Sequence, residues 1–188
     1  MTKEKQELRI KALHRRDALP AQERARMSKK LVDHAGEIVA IMRGTIIAGF
    51  WPIKSEIDPR PLMAALTEHG KKLALPAIID KQTMVFRIFG KTNDLIDMKF
   101  GTRGPSPQAP TVTPETILLP LSAFDKRGQR IGYGAGYYDR AIENLFKNGH
   151  KPLLIGLGFN CQEVTSIPAE SHDIPLTMIL TESGLRSF

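Results

Sequence analysis

The pattern of apolar and polar positions changes character several times along the chain, and each change marks an element. Residues 2–19 are good helix formers, with Leu8, Ala12 and Arg15 sharing one face and Lys5 and Arg9, one turn apart, sharing another. Pro20 interrupts that run. It suits the first turn of a second helix, whose apolar residues Met27, Leu31, Ala35, Ile38 and Ile41 recur every three or four positions up to Gly44. Residues 45–51 then form a short β-branched and aromatic run ended by Pro52, which predicts a buried strand. Asp58 reads as the N-cap of a helix over 59–69, with its prolines confined to the first turn and Gly70 where a C-terminal cap falls. Further strands are predicted over 73–76, 84–89, 116–121, 153–159 and 177–180, and a further helix over 137–148 closed by Gly149. Between them, residues 91–114 are rich in Gly and Pro and follow neither period; loops of that length are commonly functional.

Strands and helices therefore alternate. The expected fold class is α/β: a single three-layer α/β/α domain over 1–188 with a mainly parallel sheet, opened by two N-terminal helices. These helices form a basic arm over 2–43 packed on the rest. In such a domain the ligand crevice lies beyond the carboxyl ends of the strands. No internal repeat or linker interrupts the pattern.

Composition narrows the function. A chain of 188 residues, 41% hydrophobic and 25% charged, can bury one sizeable core. No apolar stretch approaches the roughly 18 residues that a membrane span needs, and the N-terminal region carries charges where a signal peptide needs an apolar core. The expectation is a cytoplasmic protein with no membrane partner. Cys161 is the sole cysteine, which excludes an intramolecular disulfide and a cysteine-cluster metal site. His14, His34, His69, His150 and His172 show no ligand spacing.

The formal charge of +7 is concentrated between Lys3 and Lys30. Such a basic helix is either a solvated face or a surface for nucleic acid, anionic lipid or a negatively charged small substrate. No aromatic residues interleave the cations, which counts against nucleic acid.

The stretch from Leu118 to Arg140 carries the most chemistry and runs strand, loop, helix. Gly132, Gly134 and Gly136 allow positive φ and close ligand approach, and the following helix start presents free N–H groups. Lys126, Arg127, Arg130 and Arg140 supply cations, while Asp125 and Asp139 supply hard oxygen ligands for a Mg²⁺ ion escorting a nucleotide. Neither the phosphate-loop nor the dinucleotide fingerprint is present. By spacing alone the glycines serve either a phosphate or a tight turn.

At these residues the chain resembles the 5-formyltetrahydrofolate cyclo-ligase family. Phe124-Asp125, Gly128 and Arg130-Ile131-Gly132-Tyr133-Gly134-Ala135-Gly136-Tyr137-Tyr138-Asp139-Arg140 match its hallmark. Lys5, Leu8 and Arg9 with Arg15-Arg16 look like its basic helix, Glu56-Ile57-Asp58 its substrate segment, and Leu73, Leu75 and Pro76 its following strand. His172-Asp173 and Met178 to Glu182 are similar to its C-terminal end. The resemblance implies ATP as co-substrate, held by Lys5, Arg9, Arg130, Gly132, Tyr133, Gly134, Ala135, Gly136, Tyr137, Tyr138, Asp139 and Arg140. Among these, Arg140 and Tyr138 are the candidates closest to the chemistry. It implies Mg²⁺ at Asp139 and Asp173, and a reduced folate, with or without a polyglutamate tail, at Trp51, Glu56, Tyr133, Gly134, Gly136 and Tyr137.

The implied reaction is ATP-dependent closure of 5-formyltetrahydrofolate to 5,10-methenyltetrahydrofolate through a phosphorylated formyl group, by a monomer. The residues themselves leave alternatives. Trp51 stacks a pterin or packs in the core; Glu56 meets pterin N–H donors or is a solvated loop acid; Asp173 meets a metal or caps a turn; Tyr138 lines the site or belongs to the core. Ala135 stands where the family often carries Gly or Lys, which removes a phosphate-binding amine.

Overall fold

A computed structural model describes residues 2–42, 44–90, 95–98, 102–170 and 173–188. Among these residues five α-helices flank a mixed sheet. Helix α1 (Lys3–Asp17) starts at Thr2, whose hydroxyl accepts from the Lys5 N–H and satisfies one orphan donor. α2 (Ala21–Lys30) follows Pro20, and α3 (Ala35–Ile41) is separated from it by a 3-10 turn at Leu31–His34. The single helix predicted to Gly44 is thus broken. Its apolar spacing survives the break: Leu31, Ala35 and Ile38 are all buried, whereas Ile41 is 41% exposed. The buried Ser28 hydroxyl accepts from the Asp58 N–H just before the break, tying α2 to the start of α4 (Arg60–Glu68).

Asp58 does stand at the start of α4, its carboxylate accepting from the Arg60 N–H at 3.0 Å. Gly70 and Gly149 follow helix ends with φ of 77° and 81°, as their predicted capping roles require. α5 (Tyr137–Lys147) completes the helices.

The main sheet holds β1 (Ile46–Ala48), β2 (Lys72–Ile78), β3 (Met84–Ile88), β6 (Thr111–Val112), β7 (Thr116–Pro120), β10 (Leu153–Leu157), β11 (Met178–Thr181) and β12 (Gly184–Ser187). Their order is β12-β11-β10-β7-β1-β2-β3-β6. The five strands from β11 to β2 are parallel, in registers such as Ile47 with Leu73 and Ile155 with Leu118, and the antiparallel pairs lie at the edges. Alternation along each strand divides the core. Ile47, Leu73, Leu75, Leu118 and Ile155 face α3 and α4, while Ala48, Ala74, Ile117, Leu119 and Leu154 face α5. That is the expected α/β class with a mainly parallel sheet and helices on both faces.

Residues 91–114 contain more structure than their composition suggests: β4 (Leu95–Asp97) pairs with β5 (Arg103–Pro105), and β6 joins the main sheet. A hairpin of β8 (Ala123–Phe124) and β9 (Arg130–Ile131) precedes the glycine loop. Helix α1 packs on this hairpin through Leu8 and Ala12, which meet Ala123, Ile131, Val164 and Ile167. Among the described residues no helix is long and apolar enough to cross a membrane.

Candidate active site

A cavity of about 730 Å³ opens beyond the C-terminal ends of β1, β2 and β7, bordered by Trp51, Pro76, Ile78 and Pro120. This is where a parallel sheet leaves a crevice. The glycine loop, the start of α5 and the N-terminal end of α1 form its other walls.

Three clamps set the loop. Asp125, fully buried at the hairpin turn, accepts from the Arg127, Gln129 and Ile167 N–H groups and from the Arg127 guanidinium. Burial pushes its carboxyl up, but those hydrogen bonds outweigh it and hold the pKa below the ordinary aspartate value. Gly128, φ 77°, fits the same turn because a Cβ there would meet the Leu176 carbonyl at 2.8 Å. Arg130 then aims at the cavity, its Nη2 donating to Asp139 Oδ1 at 2.7 Å. Its buried Nε makes no hydrogen bond among the described residues.

Gly134 and Gly136 adopt φ of 97° and 66°, and Gly136 begins α5 with no side-chain cap, leaving first-turn N–H groups for a ligand. Gly132 is different. Its φ is not in the positive region, and a Cβ there would meet nothing, so the turn itself does not demand glycine. Arg140 lies exposed at the rim, its Nε donating to the Gln82 carbonyl and its guanidinium 5.1 Å from the Tyr137 ring.

Helix α1 lays a polar stripe along the loop. Lys5, Arg9, Ala12 and Arg16 recur at helical spacing, so Ala12 shares a face with Lys5 rather than lying on a separate one. The buried Lys5 ammonium bridges Glu170 Oε2, at 2.7 Å, and Asp173 Oδ2. Burial pushes its pKa down, but the hydrogen bonds and charges of Asp173 and Glu170 prevail and hold it above the ordinary lysine value. Arg9 Nη1 donates to the Tyr133 carbonyl at 3.0 Å, and Arg16 Nη1 donates to the Tyr133 hydroxyl at 2.7 Å. Arg16 is 2% exposed and also reaches Ser55 Oγ.

The opposite wall is more apolar. Trp51 is half-buried, edge-on to Phe89 at 6.1 Å and covered by the Arg60 guanidinium at 5.1 Å, so it both borders the cavity and packs against the core. Glu56 closes a turn in which its Oε2 accepts from the Ile53 N–H at 2.8 Å. Within that turn Lys54 takes a left-handed φ of 52°, uncommon for a residue with a side chain. Burial raises the Glu56 pKa above the usual carboxylate range, against the opposing pull of the Ile53 N–H, the Tyr133 hydroxyl and the charges of Arg16 and Lys54. Tyr133 and Tyr138 are both pushed above the ordinary phenol value by burial first and the Glu56 charge second.

The structure thus brings Lys5, Trp51, Glu56, Arg130, residues 132–140 and Asp173 to one cavity. Arg9 touches the loop behind Tyr133. Asp125, read from the sequence as a possible ion ligand, lies outside the lining and serves the hairpin instead. His172 lies outside the described residues. Sequence reasoning leaves Arg16 and Glu170 without roles in the site. The signal for Arg16 is its helical spacing from Lys5, Arg9 and Ala12; Glu170 leaves none, because its partner is far away in the chain.

Comparison with known proteins agrees with this geometry. The sequence model of the 5-formyltetrahydrofolate cyclo-ligase family matches residues 1–182. The 5-formyltetrahydrofolate cyclo-ligase of Haemophilus influenzae is 28% identical over 185 residues, covering 95% of this chain and 98% of the relative. That of Mycolicibacterium smegmatis is 32% identical over 148 residues, covering 73% and 74%. Among solved structures, the 5,10-methenyltetrahydrofolate synthetase of Aquifex aeolicus superposes with a TM-score of 0.81 at 31% identity, covering 97% of this chain and 92% of the other. The synthetase of Mycoplasma pneumoniae, at TM-score 0.76 and 22% identity over 95% and 98%, shares the fold. With the family match spanning almost the whole sequence and the hallmark loop lining the cavity, the chain belongs to the 5-formyltetrahydrofolate cyclo-ligase family.

Proposed function

We propose that this cyclo-ligase closes 5-formyltetrahydrofolate to 5,10-methenyltetrahydrofolate at the cavity described, consuming ATP and releasing ADP and phosphate. The observation that carries the reading is the pairing of two chemistries in one space: a glycine loop with uncapped helix N–H groups and cations, facing an aromatic wall with a buried carboxylate. The first suits a polyphosphate and the second a pterin ring with N–H donors. Arg130, with a buried Nε that makes no protein hydrogen bond among the described residues, supports an anion at the loop.

In this reading the formyl oxygen on N5 attacks the γ-phosphorus, and ADP leaves. N10 then attacks the activated carbon and gives up its proton, the C–O bond breaks, and phosphate departs with the oxygen and that proton. Lys5, Arg9, Arg130, Arg140 and the loop N–H groups hold the triphosphate and balance its charge. Trp51, Tyr133, Tyr137 and Tyr138 confine the pterin, and Glu56 accepts from it. Among the described residues no three His, Cys, Asp or Glu cluster as a metal cage, and Asp139 and Asp173 already engage Arg130 and Lys5. Asp139 and Asp173 are the residues that would hold Mg²⁺ here alongside the nucleotide. Mg²⁺ supplies charge neutralisation on the transferring phosphoryl group. The chemistry calls for in-line positioning and no covalent enzyme intermediate. The same reading takes the chain as a single-domain cytoplasmic monomer with a small-molecule partner.

The test is the absorbance of the methenyl product when purified protein meets Mg²⁺, ATP and 5-formyltetrahydrofolate, with ADP formed in equal amount. No absorbance change ends the reading. Within it, Lys5→Ala raises KM for ATP and Glu56→Ala raises KM for the folate, each by about tenfold or more. Equal effects of both substitutions on both substrates would contradict the division of the cavity.

A further inference from the structure

Tyr133 sits where α1, the glycine loop and the turn bearing Glu56 converge, and Arg16 is the group that joins all three. Its guanidinium is buried beneath the loop, donating to the Tyr133 hydroxyl at 2.7 Å and to Ser55 Oγ, next to Glu56, at 3.0 Å. The Tyr133 hydroxyl faces the Glu56 carboxylate and pulls its pKa down, and Arg9 holds the carbonyl of the same tyrosine. Asp17 anchors the assembly, accepting from both Arg16 and the Ser55 hydroxyl. A buried arginine with three such attachments is expensive to desolvate, and hydrophobic packing of α1 would have been served better by an apolar residue.

We propose that Arg16 is a positioning residue that, through the Tyr133 hydroxyl, fixes the orientation and charge of Glu56, so that the N-terminal helix governs folate binding as well as nucleotide binding. It does not line the cavity and touches no substrate; it acts through Tyr133. This rests on the proposed role of Glu56 toward the folate.

Geometry and electrostatics point the same way. Glu56 faces Arg16 and Lys54, whose charges favour its ionised form, together with the Tyr133 hydroxyl, and it lies close enough to Tyr138 to perturb it. Burial already raises its pKa. Removing the Arg16 charge, or the Tyr133 hydroxyl to which Arg16 donates, therefore raises that pKa further. The acid limb of kcat/KM for the folate then moves to higher pH.

The experiment measures kcat, both KM values and the pH profile of kcat/KM for Arg16→Gln, Tyr133→Phe and the double variant. Expected for each single variant is a rise in folate KM of about tenfold, an acid limb shifted upward in pH, and an ATP KM within about twofold of the parent. The double variant should add little to either, because both substitutions cut one chain of contacts. Should Arg16→Gln fail to fold, Arg16→Met, uncharged and of similar length, decides by the same readouts. An unshifted acid limb, or equal losses toward ATP and folate, overturns the inference. Parent protein without cyclo-ligase turnover would instead overturn the proposed function, which separates the two failures.

Discussion

Helices α1 and α5 border the same cavity and are held by opposite means. α5 sinks Ala141 and Ile142 into an apolar cluster with Ala48, Ile117, Leu119 and Ile179, flanked by Tyr137, Tyr138 and Leu145. α1 buries Lys5, Ala12 and Arg16, of which only Ala12 is apolar. Its grip is directional: Lys5 on Glu170 and Asp173, Arg9 and Arg16 on Tyr133, and Arg15 on the Cys161 and Glu163 carbonyls. Burial of carbon stabilises irrespective of orientation, whereas buried ion pairs return little net stability once desolvation is counted. Both helices supply cavity-lining residues, but α5 is seated by buried carbon and α1 by directed polar contacts.

The most severe way to disturb that arrangement is to remove the seat of α1. Asp125→Ala would strand three backbone N–H groups, costing about 3 to 5 kcal/mol in urea unfolding. The pH dependence has a definite sign. The folded pKa of Asp125 is depressed, so its stabilisation is present above the unfolded value of about 3.9 and fades as pH falls through the folded pKa. The acid limb of the stability curve should therefore flatten in the variant; an unchanged limb would show that Asp125 does not carry it.

Ile142→Ala tests the other helix. With its side chain fully buried, the loss should be about 3 kcal/mol, with KM for ATP and folate close to the parent values wherever the protein stays folded. A large KM change would mean that α5 packing and ligand geometry are not separable. The mildest perturbation is Thr2→Ala, which removes the cap of α1 at a cost of about 1 kcal/mol. Faster hydrogen exchange at the Lys5 amide and little change in global unfolding are expected. Global destabilisation as large as that of Ile142→Ala would erase the contrast between the helices.

The same difference decides which elements the amino-acid sequence reveals and which it hides. α4, α5 and the parallel strands follow the hydrophobic periods, so their positions are legible to within a few residues. The break at Leu31–His34 is not, because Leu31, Ala35 and Ile38 keep helical spacing through it. β4, β5, β6, β8 and β9 are two or three residues each, too short to show an alternation; β4–β5 and β8–β9 close as local hairpins, and β6 depends on pairing with β3. In the site, the glycine loop is visible as composition, but which glycines adopt positive φ is not. Arg16 looks like one basic residue among many, since nothing local distinguishes a buried guanidinium from a solvated one.

The bridge from Lys5 to Glu170 and Asp173 spans sequence separations of 165 and 168. During synthesis α1 leaves the ribosome with its ammonium unmatched, and the 165 positions to Glu170 must follow before the counter-ions arrive. Premature termination anywhere ahead of Glu170 therefore yields chains lacking these counter-ions, however well their central strands assemble, and the α1 ammonium is matched only after those strands have emerged.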